Sequence, residues 1–338
     1  MISGDPEAAD HLVALASASE VVVDLCDGAA AVAARWTRAP AVVVGIDSLR
    51  ALRDANLPRR QHVVVFGHAT ADAWRCALEL GAHAVIEPPG PQGWLAELVE
   101  RAGGTATSGV VVGVTGCRGG AGASVFASAF AVAAARRRLS PYLLDLDPWG
   151  CGLAVVLGAD RLDALTWDQV RAGAGRIPSR SLQDTIGSVD GIRLLGWAED
   201  ASDGLPPGVS GSVVDAARLS ATLTVVDLGR SGADFQREAM GRCDRVLMIV
   251  PADVRAVQAA RRMVRRQDMS MCEVVVRGPN PGGLTTQDIA EAVGLPVIAA
   301  MAADRWLDER LERGEPPGYR TRTPLARAGA GILQEVLA

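Results

Sequence analysis

Short runs rich in valine, isoleucine and leucine alternate with alanine-rich stretches along most of the chain. This alternation of strand-like and helix-like segments predicts an α/β fold with a mostly parallel sheet. Because the later runs are apolar without interruption, we expect their strands to be buried on both faces. The predicted strands are Val21–Leu25, Ala41–Gly45, His62–Phe66, Ala84–Ile86, Val110–Val114, Tyr142–Leu146, Ile192–Gly196, Leu223–Val226, Arg245–Val250, Glu273–Val276 and Val297–Ala300.

A small, polar, glycine-rich segment, RAGGTATSG, separates the first four strands from the others. Such a composition is typical of a linker. We therefore predict one domain over residues 1–102, a linker over 103–109 and a second domain over 110–338. The second domain has clear helical stretches and clear loops, predicted as helices Ser124–Arg138 and Val254–Gln267 and loops 203–211 and 278–283.

The composition narrows the classes of function. A net charge of −5 argues against a chain built to neutralise nucleic-acid phosphates. The six cysteines form no C-x-x-C pair, so we expect free thiols in a reducing cytoplasm. We expect neither a signal peptide nor a membrane-spanning helix, since no long apolar stretch is free of charges or turns. All 34 basic residues are arginine, so any site that usually employs lysine must use arginine or no cation.

The stretch from Gly116 to Ser124 connects a predicted strand to a predicted helix through a glycine-rich turn. Such a turn lets backbone N–H groups and the helix N-terminus surround an anion. In the phosphate-loop pattern G-x-x-x-x-G-K-[ST], Gly122 takes the second glycine and Ala123 the lysine position, and Ser124 takes the position that binds Mg²⁺. Taken alone, an ordinary strand-to-helix turn is an equally good interpretation of this segment.

The segment R-G-G-A-G-A-S resembles the deviant loop K-G-G-x-G-K-[ST] of MinD/ParA-type ATPases. By this resemblance Arg118 stands at the signature lysine, and Ala123 replaces the lysine that contacts phosphate. The resemblance implies ATP or ADP with Mg²⁺ as ligands, without establishing that either binds. It assigns the nucleotide to Arg118, Gly119, Gly120, Ala121, Gly122, Ala123 and Ser124, with Ser124 also a Mg²⁺ ligand.

Three later segments continue the resemblance in the same order. In LLDLDPWGCGL, Asp147 corresponds to the aspartate that positions the attacking water, and Asp145 supports it, so both are catalytic candidates. In TVVDLG, Asp227 corresponds to the aspartate that holds Mg²⁺ through water. In VVVRGPNPGGL, Arg277 and Asn280 occupy the place where the family contacts adenine.

Together with a closing RTPLARAG, these motifs resemble the actinobacterial septum site-determining proteins, which are CpaE-like members of the MinD/ParA superfamily. This resemblance implies a cytoplasmic regulator of cell division, with membrane association or a peripheral place at the septum left open. It also implies division proteins, or pilus and secretion proteins, as partners, with a homodimer as an option and no nucleic acid.

The first domain resembles the receiver domains that CpaE proteins carry. ALELGAHAVIEPP is similar to the receiver ending G-A-x-x-x-x-x-K-P, with Glu87 at the lysine position. Asp47 comes two residues too late to be the usual phosphorylated aspartate, and Asp24 and Asp27 follow the wrong strand for the usual acidic pair. We therefore predict a flavodoxin-like pseudo-receiver that docks without phosphotransfer, and another small flavodoxin-like domain stays an alternative.

Two hypotheses about function follow. In the first, the chain is a nucleotide-dependent septum regulator whose ATP hydrolysis is weak or lost. In the second, it is a pseudo-ATPase scaffold of a CpaE-like pilus or secretion system. Phosphoryl transfer depends on positioned charge, so the missing lysine at Ala123 argues for reduced hydrolysis in either case.

Overall fold

A computed structural model describes residues 1–18, 21–26, 38–55, 62–68, 70–82, 84–88, 109–159, 165–172, 185–198, 204–267 and 271–337, with short pieces at 32, 35–36, 57, 90, 94–95, 98–99, 182 and 269. The chain divides into two compact units, Met1–Thr107 and Ser108–Ala338. Apart from Gly109, the predicted linker lies outside the described residues. The Gly109 N–H donates a hydrogen bond to the carbonyl of Arg218 at 2.8 Å, so this glycine packs with the second unit.

The first unit contains a three-stranded parallel sheet in the order β1-β2-β3. The strands are β1 Val42–Gly45, β2 Val63–Phe66 and β3 Ala84–Ile86, and the helices are α1 Pro6–Ala18, α2 Leu49–Asp54 and α3 Ala71–Leu80, with a short 3-10 turn over Ile46–Ser48. All four residues of β1 and of β2 are buried, as expected for parallel strands covered on both faces.

The predicted strand Val21–Leu25 is not formed, although its residues are described. Ile2 lies beside β1 instead and forms parallel bridges both to that strand and to Cys26. The N-terminal segment thus occupies the sheet edge that the predicted strand would need. Residues 21–25 are therefore only partly buried, and Val22 is 98% exposed.

The second unit is built on an eight-stranded sheet in the order β11-β10-β9-β4-β8-β5-β7-β6. Its strands are β4 Val110–Gly116, β5 Tyr142–Asp145, β6 Gly187–Val189, β7 Ile192–Leu195, β8 Leu223–Asp227, β9 Arg245–Pro251, β10 Cys272–Arg277 and β11 Val297–Met301. All neighbours pair in parallel except β6, which forms an antiparallel edge with β7. The mostly parallel α/β fold predicted from the sequence is confirmed.

Helices cover both faces of this sheet. They are α4 Ala123–Arg136, α5 Leu153–Val156, α6 Trp167–Ala172, α7 Val209–Ser220, α8 Asp234–Met240, α9 Val254–Arg266, α10 Thr286–Val293, α11 Leu307–Glu312 and α12 Pro324–Val336. On one face Val112 of β4 packs in a cluster with Phe126 and Phe130 of α4. On the other face Val111 packs in a cluster with Val214 of α7. The central strand β4 is therefore fixed from both sides, and the loop that follows it starts from a rigid base.

The predicted strands and helices of the second unit have bounds within two residues of those observed, and two larger differences occur. The predicted loop 203–211 runs into α7, which begins at Val209 after Gly208 in the left-handed region at φ +87°. Strand β6 was not predicted, because its three residues carry too little apolar pattern to stand out.

Within the described residues, no helix is long and apolar enough to cross a membrane. None of the six cysteines, all of which are described, forms a disulfide.

Candidate functional site

The loops that follow β4, β5 and β8 meet at one edge of the large sheet. These strands are neighbours in the sheet and run parallel, so their carboxyl ends lie side by side. Together the loops line a cavity of about 320 Å³, formed by residues 118–125 with Gly116, Asp147, Trp149, Asp227, Gly229 and Arg230. A crevice outside the carboxyl ends of parallel strands is the usual ligand site of such folds.

The glycine-rich loop owes its shape to backbone conformations that favour glycine. Gly120 and Gly122 have φ values of +70° and +95°, in the left-handed region. Gly122 directly precedes α4, whose first residues line the cavity. A Cβ on Gly116 would lie 3.1 Å from the Cβ of Ala121, so the loop folds closely upon itself. The result is a cavity wall made of backbone and a helix N-terminus, which suits an anion.

Ala123 is the first residue of α4 and lines the cavity. Its methyl group supplies neither a charge nor a hydrogen-bond donor. The backbone of a phosphate loop is therefore present while the cation that this position carries in the generic pattern is absent.

Ser124 and Asp227 lie together in the cavity wall, with the serine side chain hydrogen-bonded to the carboxylate. Asp227 is 1% exposed, and its Oδ2 has no hydrogen-bond partner among the described residues. Burial raises the pKa of Asp227 to about 6. An unsatisfied buried carboxylate oxygen costs free energy unless another group contacts it.

These oxygens fit Mg²⁺, which prefers hard oxygen ligands and keeps several waters in its shell. Within the described part of the chain, no group of three or more histidine, cysteine, aspartate or glutamate side chains could hold a metal. A Mg²⁺ ion beside Ser124 and Asp227 would thus take its other ligands from water and phosphate, as Mg²⁺ does in nucleotide sites.

Asp145 is 2% exposed and is absent from the cavity lining. Its Oδ1 accepts a hydrogen bond from the N–H of Asp147 at 3.0 Å, and its Oδ2 accepts one from the N–H of Leu153 at 3.0 Å. Burial, followed by the nearby charge of Asp227, raises the pKa of Asp145 to about 8. Asp145 therefore shapes the loop after β5 through these two backbone hydrogen bonds.

Asp147 lines the cavity on that loop. Its backbone is held by Asp145, and its Oδ1 accepts a hydrogen bond from the N–H of Trp149 at 3.2 Å. A Cβ on Gly229 would lie 3.1 Å from the Cβ of Asp147, so the loops after β5 and β8 are in close contact. Of the two candidate catalytic aspartates, only Asp147 lines the cavity.

Arg118 also lines the cavity, but its guanidinium has a partner in the protein. Its Nη2 lies 2.7 Å from Oδ2 of Asp253. Asp253 is the N-cap of α9, where its Oδ1 accepts the N–H of Ala256 at 3.0 Å. The arginine that replaces the signature lysine is therefore neutralised by a helix cap.

Arg277 and Asn280, the two candidates for base contacts, are absent from the cavity lining. Arg277 lies against the glycine-rich loop, where its Nη2 donates to the carbonyl of Gly120 at 3.3 Å. The side-chain amide of Asn280 bonds to the backbone of Leu284 through both its nitrogen and its oxygen, at 2.6 and 2.9 Å. Asn280 thus closes its own turn, and the structure does not bring it to the other site residues.

Sequence reasoning overlooked Arg230 and Trp149, both in the cavity lining. Trp149 is 73% exposed, and Arg230 is also exposed. The available signal for Arg230 was its place three residues after Asp227, on the loop that was already expected to approach a ligand. The signal for Trp149 was its place two residues after Asp147.

The acidic residues of the first unit do not form a free acidic pocket in the part that is described. Asp47 accepts hydrogen bonds from the Ser3 hydroxyl and the Gly4 N–H, both at 2.7 Å, and from the Ser48 hydroxyl at 2.8 Å. Asp24 pairs with Arg35 at 3.3 Å. Asp27 lies outside the described residues, and Glu87 directly follows β3.

Residues 2–110 match the family model described as the Rv3660c-like, CheY-like N-terminal domain. Two Mycobacterium tuberculosis proteins, uncharacterized protein Rv3660c of strain H37Rv and uncharacterized protein MT3760 of strain CDC 1551, are each 36% identical to the chain over 338 residues. Each alignment covers 97% of this chain and 95% of the relative. The chain belongs to the Rv3660c-like family.

The fold of this Rv3660c-like protein has solved counterparts that match 67–68% of the chain. A ParA family ATPase from Chlorobium tepidum TLS gives a TM-score of 0.60 at 16% identity over 98% of its length. MinD in a MinC:MinD cell division complex from Aquifex aeolicus gives 0.58 at 19% identity over 95%. The septum site-determining protein MinD with Mg-ADP from Pyrococcus horikoshii OT3 gives 0.55 at 15% identity over 95%. The Rv3660c-like chain thus combines a CheY-like N-terminal domain with a MinD/ParA-like P-loop fold.

Proposed function

We propose that this protein is a nucleotide-dependent regulator of the MinD/CpaE-like kind that acts in septum placement. It binds ATP or ADP with Mg²⁺, and its hydrolysis of ATP is weak or lost. The observation that carries the proposal is the buried Oδ2 of Asp227, which has no partner among the described residues and lies beside Ser124 in the wall of the glycine-loop cavity. A Mg²⁺-nucleotide would satisfy this oxygen, and a solved MinD neighbour was crystallised with Mg-ADP.

We assign each residue of the site a role that the geometry supports. The backbone of residues 118–124 would surround the phosphates, and Ser124 and Asp227 would hold Mg²⁺, the aspartate through water. Asp147 positions the attacking water, and Asp145 positions Asp147 through its bond to the backbone N–H. When bound, Mg²⁺ would supply charge neutralisation for the phosphate oxygens.

Hydrolysis is weak because the site lacks positive charge beside the phosphates, where negative charge must be stabilised during phosphoryl transfer. Ala123 carries no ammonium, and Arg118 is paired with Asp253. Electrostatic stabilisation supplies nearly all of the catalysis in phosphoryl transfer. Nucleotide binding needs less positive charge from side chains, because backbone N–H groups and a helix N-terminus already attract phosphate.

We assign residues 1–102 as a pseudo-receiver docking domain, 103–109 as a linker and 110–338 as the nucleotide domain. The hydrogen bonds that occupy Asp47 support docking without phosphotransfer. We place the protein in the cytoplasm and peripherally at the membrane or septum, with cell-division proteins as partners and a homodimer as its assembly. The MinC:MinD complex among the solved neighbours supports this kind of partner.

A titration of purified full-length protein with ATP and ADP, with and without Mg²⁺, tests the nucleotide part. We expect saturable binding that Mg²⁺ tightens, and a rise of the melting temperature as the nucleotide exceeds its Kd. Asp227→Asn is the matched variant, since it keeps the size of the side chain and weakens the Mg²⁺ effect. Absence of any shift at millimolar ATP would contradict the proposal.

The septum part needs a cellular readout. Deletion and overproduction of the gene in its own host should change the position or frequency of septa, and Asp227→Asn should not restore the deletion. Unchanged septa in both strains would reject this role.

The Arg118–Asp253 pair favours a second candidate, a pseudo-ATPase scaffold of a CpaE-like pilus or secretion localisation system. A loop whose arginine is neutralised within the protein can be a relic of a nucleotide site. In that case Asp227→Asn supports normal septation, and deletion disturbs pilus or secretion complexes instead.

A further inference from the structure

We infer that Arg230 is the cation that binds the phosphates of a nucleotide in this protein, in place of the lysine missing at Ala123. This inference rests on the proposed nucleotide function and names a residue for it. Arg230 follows β8 on a different loop from Ala123, and both residues line the same cavity as Ser124 and Asp227.

The backbone on the N-terminal side of Arg230 is fixed by buried contacts. The hydroxyl of Thr115, itself 2% exposed, donates a hydrogen bond to the carbonyl of Gly229 at 2.6 Å. Gly229 is in the left-handed region at φ +62°, and a Cβ there would lie 2.6 Å from Nε2 of Gln236. Only glycine fits this position, so the backbone conformation directly before Arg230 is fixed.

The backbone on the C-terminal side is fixed as well. Oε1 of Gln236, a residue that is 4% exposed, accepts hydrogen bonds from the hydroxyl of Ser231 at 2.7 Å and from the N–H of Gly232 at 3.0 Å. Nε2 of Gln236 donates to the carbonyl of Leu146 at 2.8 Å, which ties this loop to the one after β5. Arg230 is therefore held at the cavity by its neighbours and not by its own side chain.

The Arg230 guanidinium lies over the glycine-rich loop. A Cβ on Gly119 would be 3.7 Å from its Nη2 and 4.0 Å from its Cζ, so little separates the guanidinium from the loop backbone. Arg230 makes no hydrogen bond or ion pair with any described residue. A charged group placed this way can form bidentate, charge-assisted hydrogen bonds to phosphate oxygens.

The two other arginines at the loop each have Nη2 bonded within the protein. Arg118 is paired with Asp253 at 2.7 Å, and Arg277 donates to the carbonyl of Gly120 at 3.3 Å and is absent from the cavity lining. Around the described cavity, Arg230 is thus the arginine whose donors are all available to a ligand. A nucleoside di- or triphosphate supplies the oxygens that match them.

The test measures Mg-ATP and Mg-ADP affinity of the full chain by calorimetry for three proteins: wild type, Arg230→Ala and Arg261→Ala. Arg261 is exposed on α9 and is absent from the cavity lining, so its variant loses the same charge elsewhere. We expect Arg230→Ala to lower the affinity for both nucleotides by roughly tenfold to a hundredfold, because hydrogen bonds to charged groups are lost. Arg261→Ala should bind as wild type does. Arg230→Lys should recover part of the loss, because lysine keeps the charge without the fork.

The melting temperature of nucleotide-free Arg230→Ala should equal that of the wild type, which separates a ligand contact from a structural role. If Arg230→Ala proves unstable, Arg230→Gln replaces it with the same expectation. Wild-type affinity in the Arg230 variants would overturn the inference and leave the nucleotide function intact. A wild type that binds neither nucleotide would overturn both, and the wild-type titration alone registers that outcome.

Discussion

Arg118 and Asp253 form an ion pair across the edge of the glycine-rich loop, with 2.7 Å between Nη2 and Oδ2. We predict that Asp253→Asn tightens ATP binding, because it frees the Arg118 guanidinium for phosphate. Asparagine caps a helix as well as aspartate does, so α9 should keep its start. A half-exposed pair of this kind contributes up to about 1 kcal/mol, which corresponds to at most roughly fivefold in Kd.

Asp253→Ala is the control for this prediction. It frees Arg118 but removes the cap, so the protein should lose about 1 kcal/mol of stability in urea unfolding. Equal ATP affinity in wild type and Asp253→Asn would mean that the ion pair does not compete with the nucleotide.

Ala123→Lys restores the charge that the phosphate loop lacks. We expect ATP affinity to rise by roughly tenfold or more, since hydrogen bonds to charged groups are strong in a partly enclosed site. The free protein should lose a little stability, because a cation at a helix N-terminus is unfavourable by about 0.3–1 kcal/mol. Calorimetry with Ala123→Met as the uncharged control of similar length checks this. Equal ATP affinity in the two variants would show that a cation at position 123 does not contact the phosphates.

Thr115→Val removes the hydroxyl that holds the carbonyl of Gly229 at 2.6 Å and keeps the shape of the side chain. The carbonyl then has lost a buried donor, so we expect a loss of about 1–3 kcal/mol in the free energy of unfolding. Nucleotide affinity should also fall, because Gly229 sets the path of the chain into Arg230. Thr115→Ser retains the donor and should preserve affinity. A Thr115→Val protein that binds ATP normally would separate the loop anchor from the site.

The pH dependence of stability follows from Asp145. Burial and the charge of Asp227 raise the pKa of this carboxyl to about 8. In the unfolded chain this carboxyl titrates near 4, as a roughly unperturbed aspartate does. Between these values the folded protein holds a proton that the unfolded chain has released. The free energy of unfolding of the metal-free protein should therefore fall as the pH rises from about 4 to about 8, by an amount on the order of a few kcal/mol.

Urea unfolding in EDTA across this pH interval measures the fall. Asp145→Asn should be less stable than the wild type at low pH, because its amide can accept from only one of the N–H groups of Asp147 and Leu153. Its stability should also fall less steeply with pH. A wild-type curve that falls no more steeply than the variant's would contradict the protonated state of Asp145.

Asp47 should resist phosphorylation by a small phosphodonor such as acetyl phosphate with Mg²⁺. Partial burial by itself raises its pKa, but hydrogen bonds from Ser3, Gly4 and Ser48 outweigh burial and hold the pKa of this carboxyl below its usual value. Both oxygens are thereby engaged. Intact-mass spectrometry should detect no added phosphoryl group, and a modification that disappears in Asp47→Asn would refute the docking role without phosphotransfer.

The parts of the fold that depend on local pattern could be predicted from the sequence. Continuous β-branched runs gave the buried strands, and the glycine-rich turn before Ser124 gave the loop and the start of α4 within one residue. The loop over 278–283, which contains Asn280, was predicted as well, because glycine and proline cluster there. The ligand contact of Asn280 that the resemblance implies stays a prediction.

Contacts between distant segments could not be predicted. Ile2 lies beside β1, where the run Val21–Leu25 was expected to pair. No sequence pattern near that run indicates that Ile2 takes its place. Arg118 meets Asp253 across 135 positions of sequence, so its engagement was invisible before the fold was known. The same holds for Arg230, whose place above Gly119 depends on the packing of two loops.

The central claim is that a Mg²⁺-nucleotide occupies the cavity between Ser124, Asp227 and the glycine-rich loop and is hydrolysed slowly or not at all. The most direct test is calorimetric titration of the full chain with Mg-ATP, with phosphate release measured in the same sample. We predict saturable binding that Asp227→Asn weakens, and phosphate release no faster than that of the variant. Absence of binding at millimolar ATP, or phosphate release clearly faster in the wild type than in Asp227→Asn, would contradict it.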